Sequence, residues 1–118
     1  MKNAPMIALA SLAGLAAACG SSFQPPTDRL ASSEAAIRSA RELGAQEHPQ
    51  AALHVKLADE QVATARNLMQ EGENERADLI LQRAKTDAEL AVMLTREKAA
   101  KTAANQARQT LDAQRSDK

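Results

Sequence analysis

The sequence predicts an all-α protein, and three observations support this: composition, the positions of two glycines and the spacing of apolar residues. From Gly20 onward the chain has 20 alanines and many Glu, Gln, Lys and Arg residues, which favour helix over strand. Gly44 and Gly72 divide this part into three segments, in which apolar residues recur every three or four positions. We therefore expect an antiparallel helical hairpin or a small three-helix bundle with a long, protruding C-terminal helix.

The first two predicted helices end near these glycines. The first runs from a side-chain cap at Thr27 or Asp28 to about Leu43. Its thin apolar face consists of Leu30, Ile37, Ala40 and Leu43. The second begins at Pro49, which suits a first helical turn because its missing amide hydrogen is not needed there, and ends near Gln70. Its apolar stripe consists of Ala51, Val55, Ala58, Val62, Ala65 and Met69.

The third predicted helix begins near Asn74 and meets no Pro or Gly up to the C-terminus. Its apolar stripe consists of Ala77, Leu81, Ala84, Ala88 and Ala91. The opposite face carries Leu79, Leu90 and Met93, so we expect the helix to contact two neighbours, which are either the first two helices or another copy of the chain. Large apolar side chains become scarce beyond Leu94. We expect an alanine-rich domain over residues 27–118, with a packed body at about 27–94 and a protruding helix or tail at 95–118.

Composition argues against several classes of function. Trp and Tyr are absent and Phe23 is the only Phe, so stacking on bases or sugars is not expected. Without residues 1–18, 14 basic residues face 15 acidic ones, a net charge of −1, which does not favour nucleic-acid binding. From Arg96 onward six basic residues face three acidic ones. We expect no nucleic acid and no small-molecule substrate as partners.

The first 18 residues have the pattern of a secretion signal peptide. Lys2 supplies a positive charge, residues 6–15 are largely apolar, and Ala16-Ala17-Ala18 supplies the small residues of a cleavage site. A permanent transmembrane anchor is disfavoured, because a spanning helix needs roughly 20 apolar residues and this stretch is shorter.

Cys19, the only cysteine, follows the small-residue triplet directly. The segment from Leu15 to Gly20 resembles a bacterial lipobox, although Leu15 lies four residues before the cysteine where three is usual. The resemblance implies that Cys19 carries lipid, and that residues 19–26 are the lipidated cysteine and a flexible tether. Two or three acyl chains, at roughly 0.8 kcal/mol per buried CH₂, hold a protein stably in a membrane. Gly20, in place of the Asp that retains many such proteins in the inner membrane, implies the outer membrane, facing the periplasm.

A competing interpretation of the same residues stays open. Ala16-Ala17-Ala18 also fits ordinary signal peptidase, which would release a soluble protein with Cys19 as a free thiol. A lone exposed thiol is a liability in an oxidising compartment, whereas a lipidated cysteine is not. We therefore favour lipidation.

Four short segments resemble a single family of bacterial lipoproteins. They are Pro25–Asp28, the turn Ala45–Pro49, the turn Glu71–Glu73 and the alanine spacing of Ala84–Ala91. The family is the alanine-rich domain of unknown function 4398, and the resemblance covers about 25–104. Longer members look like this segment followed by an OmpA-type peptidoglycan-binding domain. The chain stops before any such domain, so the resemblance assigns no cell-wall-binding residue here.

No residue pattern favours catalysis or a metal site. The two histidines, His48 and His54, are too few for zinc; we expect His48 in a turn and His54 partly buried beside the second apolar stripe. The carboxylates at Asp59-Glu60 and within 71–75 are expected on solvated faces or helix starts. The repeated Leu, Gly and Ala residues of the predicted hairpin also resemble tetratricopeptide repeats. The chain offers only about one and a half hairpins, whereas an array of such repeats needs at least three. We expect no enzyme, no cofactor and no metal.

The sequence therefore favours a lipid-anchored structural or protein-interaction module of the cell envelope. It would bind the membrane through the lipid on Cys19, and would act by self-association or by docking another envelope protein. The alternative is a murein-type lipoprotein that tethers the outer membrane to peptidoglycan through Lys118, because a basic C-terminal segment ends in this lysine.

Overall fold

The computed structural model, which describes residues 22–117, is almost entirely helical. Helix α1 spans Thr27–Glu42, a short 3₁₀ turn spans Ala45–Glu47, helix α2 spans Pro49–Gln70 and helix α3 spans Asn74–Ser116. No strand occurs within this part of the chain. The predicted all-α class is confirmed, as is the small bundle with a long C-terminal helix.

The start of α1 differs from the predicted cap. No side chain caps this helix, because Thr27 is already its first residue and Pro26 occupies the capping position. The amide of Thr27 donates to the Pro25 carbonyl at 2.8 Å, and the amide of Leu30 donates to the Pro26 carbonyl at 3.0 Å. Asp28 lies in the first turn, where its charge interacts favourably with the helix dipole.

Two glycines in left-handed conformation end α1 and α2. Gly44 has a φ of 85° and Gly72 a φ of 78°, values that L side chains rarely adopt. The amide of Gly72 donates to the Met69 carbonyl at 3.2 Å, and the amide of Glu73 donates to the Leu68 carbonyl at 2.8 Å. This pair of bonds is a Schellman motif, which satisfies the last carbonyls of α2 before the chain reverses into α3.

Helix α3 is the central element of the core. It makes its most extensive contact with α2 and also packs against α1, while α1 and α2 contact each other less extensively. The predicted α3 stripe is completely buried: Ala77, Leu81, Ala84, Ala88 and Ala91. Helix α2 contributes Ala51, Val55, Ala58, Val62, Ala65 and Leu68. The end of the α2 stripe differs from prediction, since Leu68 is buried and Met69 packs at its edge.

The contribution of α1 also differs from prediction. Leu43 is exposed at the end of the helix, whereas Ser33 is buried beside Ile37 and Ala40. The Ser33 hydroxyl lies 2.8 Å from the Arg29 carbonyl and 3.0 Å from the Leu81 carbonyl of α3. A small polar residue fits this contact because its hydroxyl finds backbone acceptors on both helices.

Both neighbours of α3 pack on the same side of it. The two neighbours are as predicted, but they leave the opposite face uncovered: Leu79 is 56% exposed and Met93 66% exposed. Helix α3 therefore has one buried face and one exposed face that carries large apolar side chains.

Helix α3 continues well beyond the packed body. Thr95, predicted to stay in solvent, is the last buried residue, and its hydroxyl donates to the Ala91 carbonyl at 2.8 Å, which removes the cost of burying it. Every residue in 96–117, which we call the arm, is exposed. At 1.5 Å per residue its helical part extends about 32 Å past the body. No helix within residues 22–117 is both long and apolar enough to cross a membrane.

Replacing Leu81 by Ala tests this packing. Leu81 is completely buried, so the cavity should lower the free energy of unfolding by about 2–4 kcal/mol. The control, Leu79→Ala, changes an exposed residue of the same helix and should cost less than about 0.5 kcal/mol. Urea denaturation followed by circular dichroism measures both, and equal losses would contradict the assignment of the buried face.

Candidate interaction surface

Charged side chains link the helices around the rim of the core. The pairs are Arg29 with Asp78, Arg41 with Asp59, and Arg66 with Glu34. All are partly exposed, so each contributes at most about 1 kcal/mol. Because every pair includes a residue of α1, the pairs help to specify how α1 packs against α2 and α3.

A polar contact of a different kind joins α2 to α3. The two oxygens of Asp87 on α3 accept hydrogen bonds from His54 Nδ1 and Gln61 Nε2, each at 2.8 Å. An ionised carboxylate only accepts, so the Nδ1 atom of His54 carries the hydrogen in this contact. His54 and Gln61 lie two turns apart on α2, and Asp87 bridges them. His54 is partly buried, as predicted, and acts in helix packing.

The carboxylates considered for acid–base chemistry lie at the surface. Asp59 pairs with Arg41, and Glu60 lies 3.8 Å from Lys56. Glu73 pairs with Arg76 at the start of α3. Within residues 22–117 no group of three His, Cys, Asp or Glu side chains is placed to hold a metal ion.

The uncovered face of α3 carries a regular series of residues, which we call the back seam. The series alternates spacings of three and four residues, the repeat by which helices pair in a coiled coil. All of its members are exposed: Arg76, Leu79, Arg83, Thr86, Leu90, Met93, Glu97, Ala100, Ala104, Ala107 and Leu111. The back seam runs along both the body and the arm, opposite the buried stripe.

Two rows of polar residues, each with a spacing of seven, run beside the back seam. One row lies along the body on one side of the seam, and the other lies along the arm on the opposite side. In the body the row is Glu75, Gln82 and Glu89, which we call the body row. In the arm the row is Lys101, Arg108 and Arg115, which we call the arm row. Every member of both rows is exposed. Lys101 also hydrogen-bonds the Glu97 carboxylate and thereby lowers the pKa of that carboxyl below its usual value.

The charges of the two parts are opposite. Residues 22–95 contain eight basic and twelve acidic residues, a net charge of −4. Residues 96–117 contain five basic and three acidic residues, a net charge of +2. On α3 itself, the body row carries two acidic residues and the arm row carries three basic ones.

Both predicted site residues, Cys19 and Lys118, lie outside the described residues 22–117. The residues nearest to them lie at opposite ends of the molecule. The Phe23 carbonyl accepts a hydrogen bond from Asn74 Nδ2 at 2.9 Å, which places residues 22–26 beside the α2–α3 turn. The arm leaves the other end of the body.

Leu79, Leu90 and Met93 of the back seam were predicted from the sequence to form the opposite face of α3, but the other members of the seam and its two flanking rows were not. Their seven-residue spacing is visible in the sequence, but so is the same spacing on the buried face. Only the packing of α1 and α2 shows which series stays exposed.

These features define an alanine-rich three-helix protein whose last helix extends into a free arm. The chain belongs to the family described as domain of unknown function DUF4398, whose profile matches residues 28–115. Neither a curated protein nor a solved structure matches the chain significantly.

Replacing Asp87 by Ala tests the polar contact between α2 and α3. The substitution leaves the donors of His54 and Gln61 without their acceptor, so we expect a loss of about 1–2 kcal/mol in the free energy of unfolding. Asp112→Ala, on the exposed arm, is the control and should change stability by less than about 0.5 kcal/mol. Thermal melts that do not distinguish the two variants would show that the contact does not stabilise the fold.

Proposed function

We propose that the protein is a lipid-anchored interaction module of the cell envelope, without catalytic activity, that contacts protein partners through the arm. The observation that carries the proposal is the arm itself, a helical segment whose residues are all exposed. Forming the first turn of a helix, its nucleus, is costly, because several residues are fixed for a single hydrogen bond. The buried half of α3 supplies that nucleus, so the body holds the arm in the conformation that a partner helix would bind.

The position of residues 22–26 supports an anchor at the other end. Because they lie beside the α2–α3 turn, a lipid on Cys19 would leave the far end of the body and the arm unobstructed. The lipobox resemblance of Leu15–Gly20 supports lipidation, and Gly20 supports the outer membrane, with the protein facing the periplasm. The surface carboxylates, mostly ion-paired to neighbouring side chains, support a role without chemistry.

The alternative proposal is a tether to peptidoglycan through Lys118. It is favoured by the direction of α3, which carries its last residues to the end of the molecule farthest from residues 22–26. A covalent muropeptide adduct on Lys118 after digestion of the cell wall would select the tether over the interaction module.

The anchor is tested by Cys19→Ser in the full chain. We expect loss of acyl labelling and movement of the protein from the membrane fraction to the soluble periplasmic fraction, because the thiol that accepts the lipid is gone. Ser21→Ala, two residues away, is the control and should keep both properties. An unlabelled wild-type protein would show that the anchor proposal is wrong.

The arm is tested by ending the chain after Arg96. The truncated protein should keep the body, since residues 97–117 are exposed and bury no part of the core, so its melting temperature should change little. It should lose the envelope proteins that the full-length protein captures under mild cross-linking. Identical captured proteins with and without residues 97–118 would exclude the arm as the contact element.

A further inference from the structure

We propose that the partner of the arm is a second copy of this chain, bound along the back seam. The two α3 helices run parallel and are shifted by three heptads, so that Glu97 of one copy lies beside Arg76 of the next. The arm of one copy thereby covers the exposed apolar face of the body of the other. The proposal rests on the proposed function only in taking the arm as the contact element.

The flanking rows provide the charge complementarity. In a parallel coiled coil, a residue flanking the seam on one helix faces a residue on the opposite flank five positions further along the partner. With a shift of three heptads, Glu75 faces Lys101 of the second copy, Gln82 faces Arg108, and Glu89 faces Arg115. Each member of the body row thus meets one member of the arm row.

Five of the six seam residues in the body, all except Met93, meet a seam residue of the second copy in the same register. Arg76 meets Glu97 of the second copy, so the charged residues of the seam lie opposite each other. Leu79 meets Ala100, and Leu90 meets Leu111, which covers apolar side chains that are exposed in the single chain. The alanines opposite Arg83 and Thr86 are short enough to leave space for these longer side chains.

Smaller parallel shifts bring like charges together. In an unshifted pair, Arg96 faces Lys101 of the second copy. A shift of one heptad places Arg96 opposite Arg108, and a shift of two heptads places it opposite Arg115. The shift of three heptads places Arg96 beside Ile80 instead and removes this repulsion. Like-charge pairs at flanking positions are a recognised means by which helices reject a wrong register.

An antiparallel arrangement is disfavoured by the fold. It would require the arm row to reach Asp87, on the side of α3 that faces α2. Asp87 is already engaged there, since both of its oxygens accept hydrogen bonds from His54 and Gln61. Glu75 and Glu89, by contrast, lie on the open side of the helix.

The parallel arrangement is open-ended. Each contact uses the arm of one copy and the body of another, so every pair retains one free arm and one free body face, which is the condition for a linear row. The shift displaces successive copies by about 32 Å along the helix axis. Two copies anchored in one membrane through Cys19 would therefore lie with α3 along the membrane surface.

Pairs of single cysteines identify the register. Full-length Leu90→Cys and Leu111→Cys proteins are co-expressed and treated in intact cells with a short bismaleimide linker. The proposal expects a cross-linked dimer when both variants are present and none with either alone, because Leu90 meets only Leu111 across the staggered contact. The unmodified chain is the control for any reaction of Cys19.

The other outcomes of this experiment contradict the proposal. Cross-linking of Leu90→Cys with itself would indicate an unshifted pair, and cross-linking between Leu79→Cys and Leu111→Cys would indicate an antiparallel pair. The absence of a cross-link in all three combinations would show that the back seam does not bind a second copy. If Cys19→Ser still abolishes acyl labelling, that last result leaves the lipid anchor intact and removes only the self-association.

A charge exchange gives a second, independent readout. Lys101→Glu with Arg115→Glu in the Leu111→Cys protein should reduce the Leu90–Leu111 cross-link at least several-fold. Glu75→Lys with Glu89→Lys in the Leu90→Cys protein should restore it, because the opposed charges are exchanged and not lost. All four positions are exposed, so circular dichroism should show an unchanged fold. Failure of the second exchange to restore the cross-link would overturn the assigned pairing of the two rows.

Discussion

Close approach of α3 to its two neighbours is the constraint on which the rest of the structure depends. Alanines occupy four of the five buried positions of the predicted α3 stripe and three of the six in α2, and short side chains allow the helix axes to lie near each other. Packing of this kind buries little apolar surface per residue, so a single contact between two such helices would be weak. The chain compensates by packing α1 and α2 on one side of α3, where Leu81, Val55 and Ile37 provide the larger side chains of the core.

Packing both neighbours on one side of α3 leaves large apolar side chains exposed on its other side. With both neighbours on one side, the opposite face of α3 keeps its leucines and methionine in solvent, where they give the body an apolar strip. The same helix then continues beyond its neighbours as the arm, whose apolar residues are mostly alanines. One helix thus provides a core contact, an exposed apolar face and a free extension, and the three are fixed in relative position because the helix is continuous.

The distribution of charge follows the same division. Acidic residues predominate on the body and basic residues on the arm, although the whole chain is nearly neutral. The net charge of the whole chain therefore does not show that the body and the arm carry opposite charges, which is the feature most relevant to association. The body and the arm of one copy cannot fold back on each other, because α3 runs straight through both. Complementary charges of this kind are satisfied most directly between molecules.

The sequence by itself determined the helices and most of the core. Pro49, Gly44 and Gly72 set where helices begin and end through backbone geometry that does not depend on distant residues, and the bounds of α2 and the buried stripe of α3 follow from local spacing. Only the tertiary structure decided that Ser33 and Thr95 are buried and that Leu79 and Met93 are exposed. Burial of these residues depends on which side of α3 receives α1 and α2, and on backbone carbonyls that accept the two hydroxyls. The same choice of side separates the back seam from the core stripe, because two series with the same periodicity differ only in what packs against them.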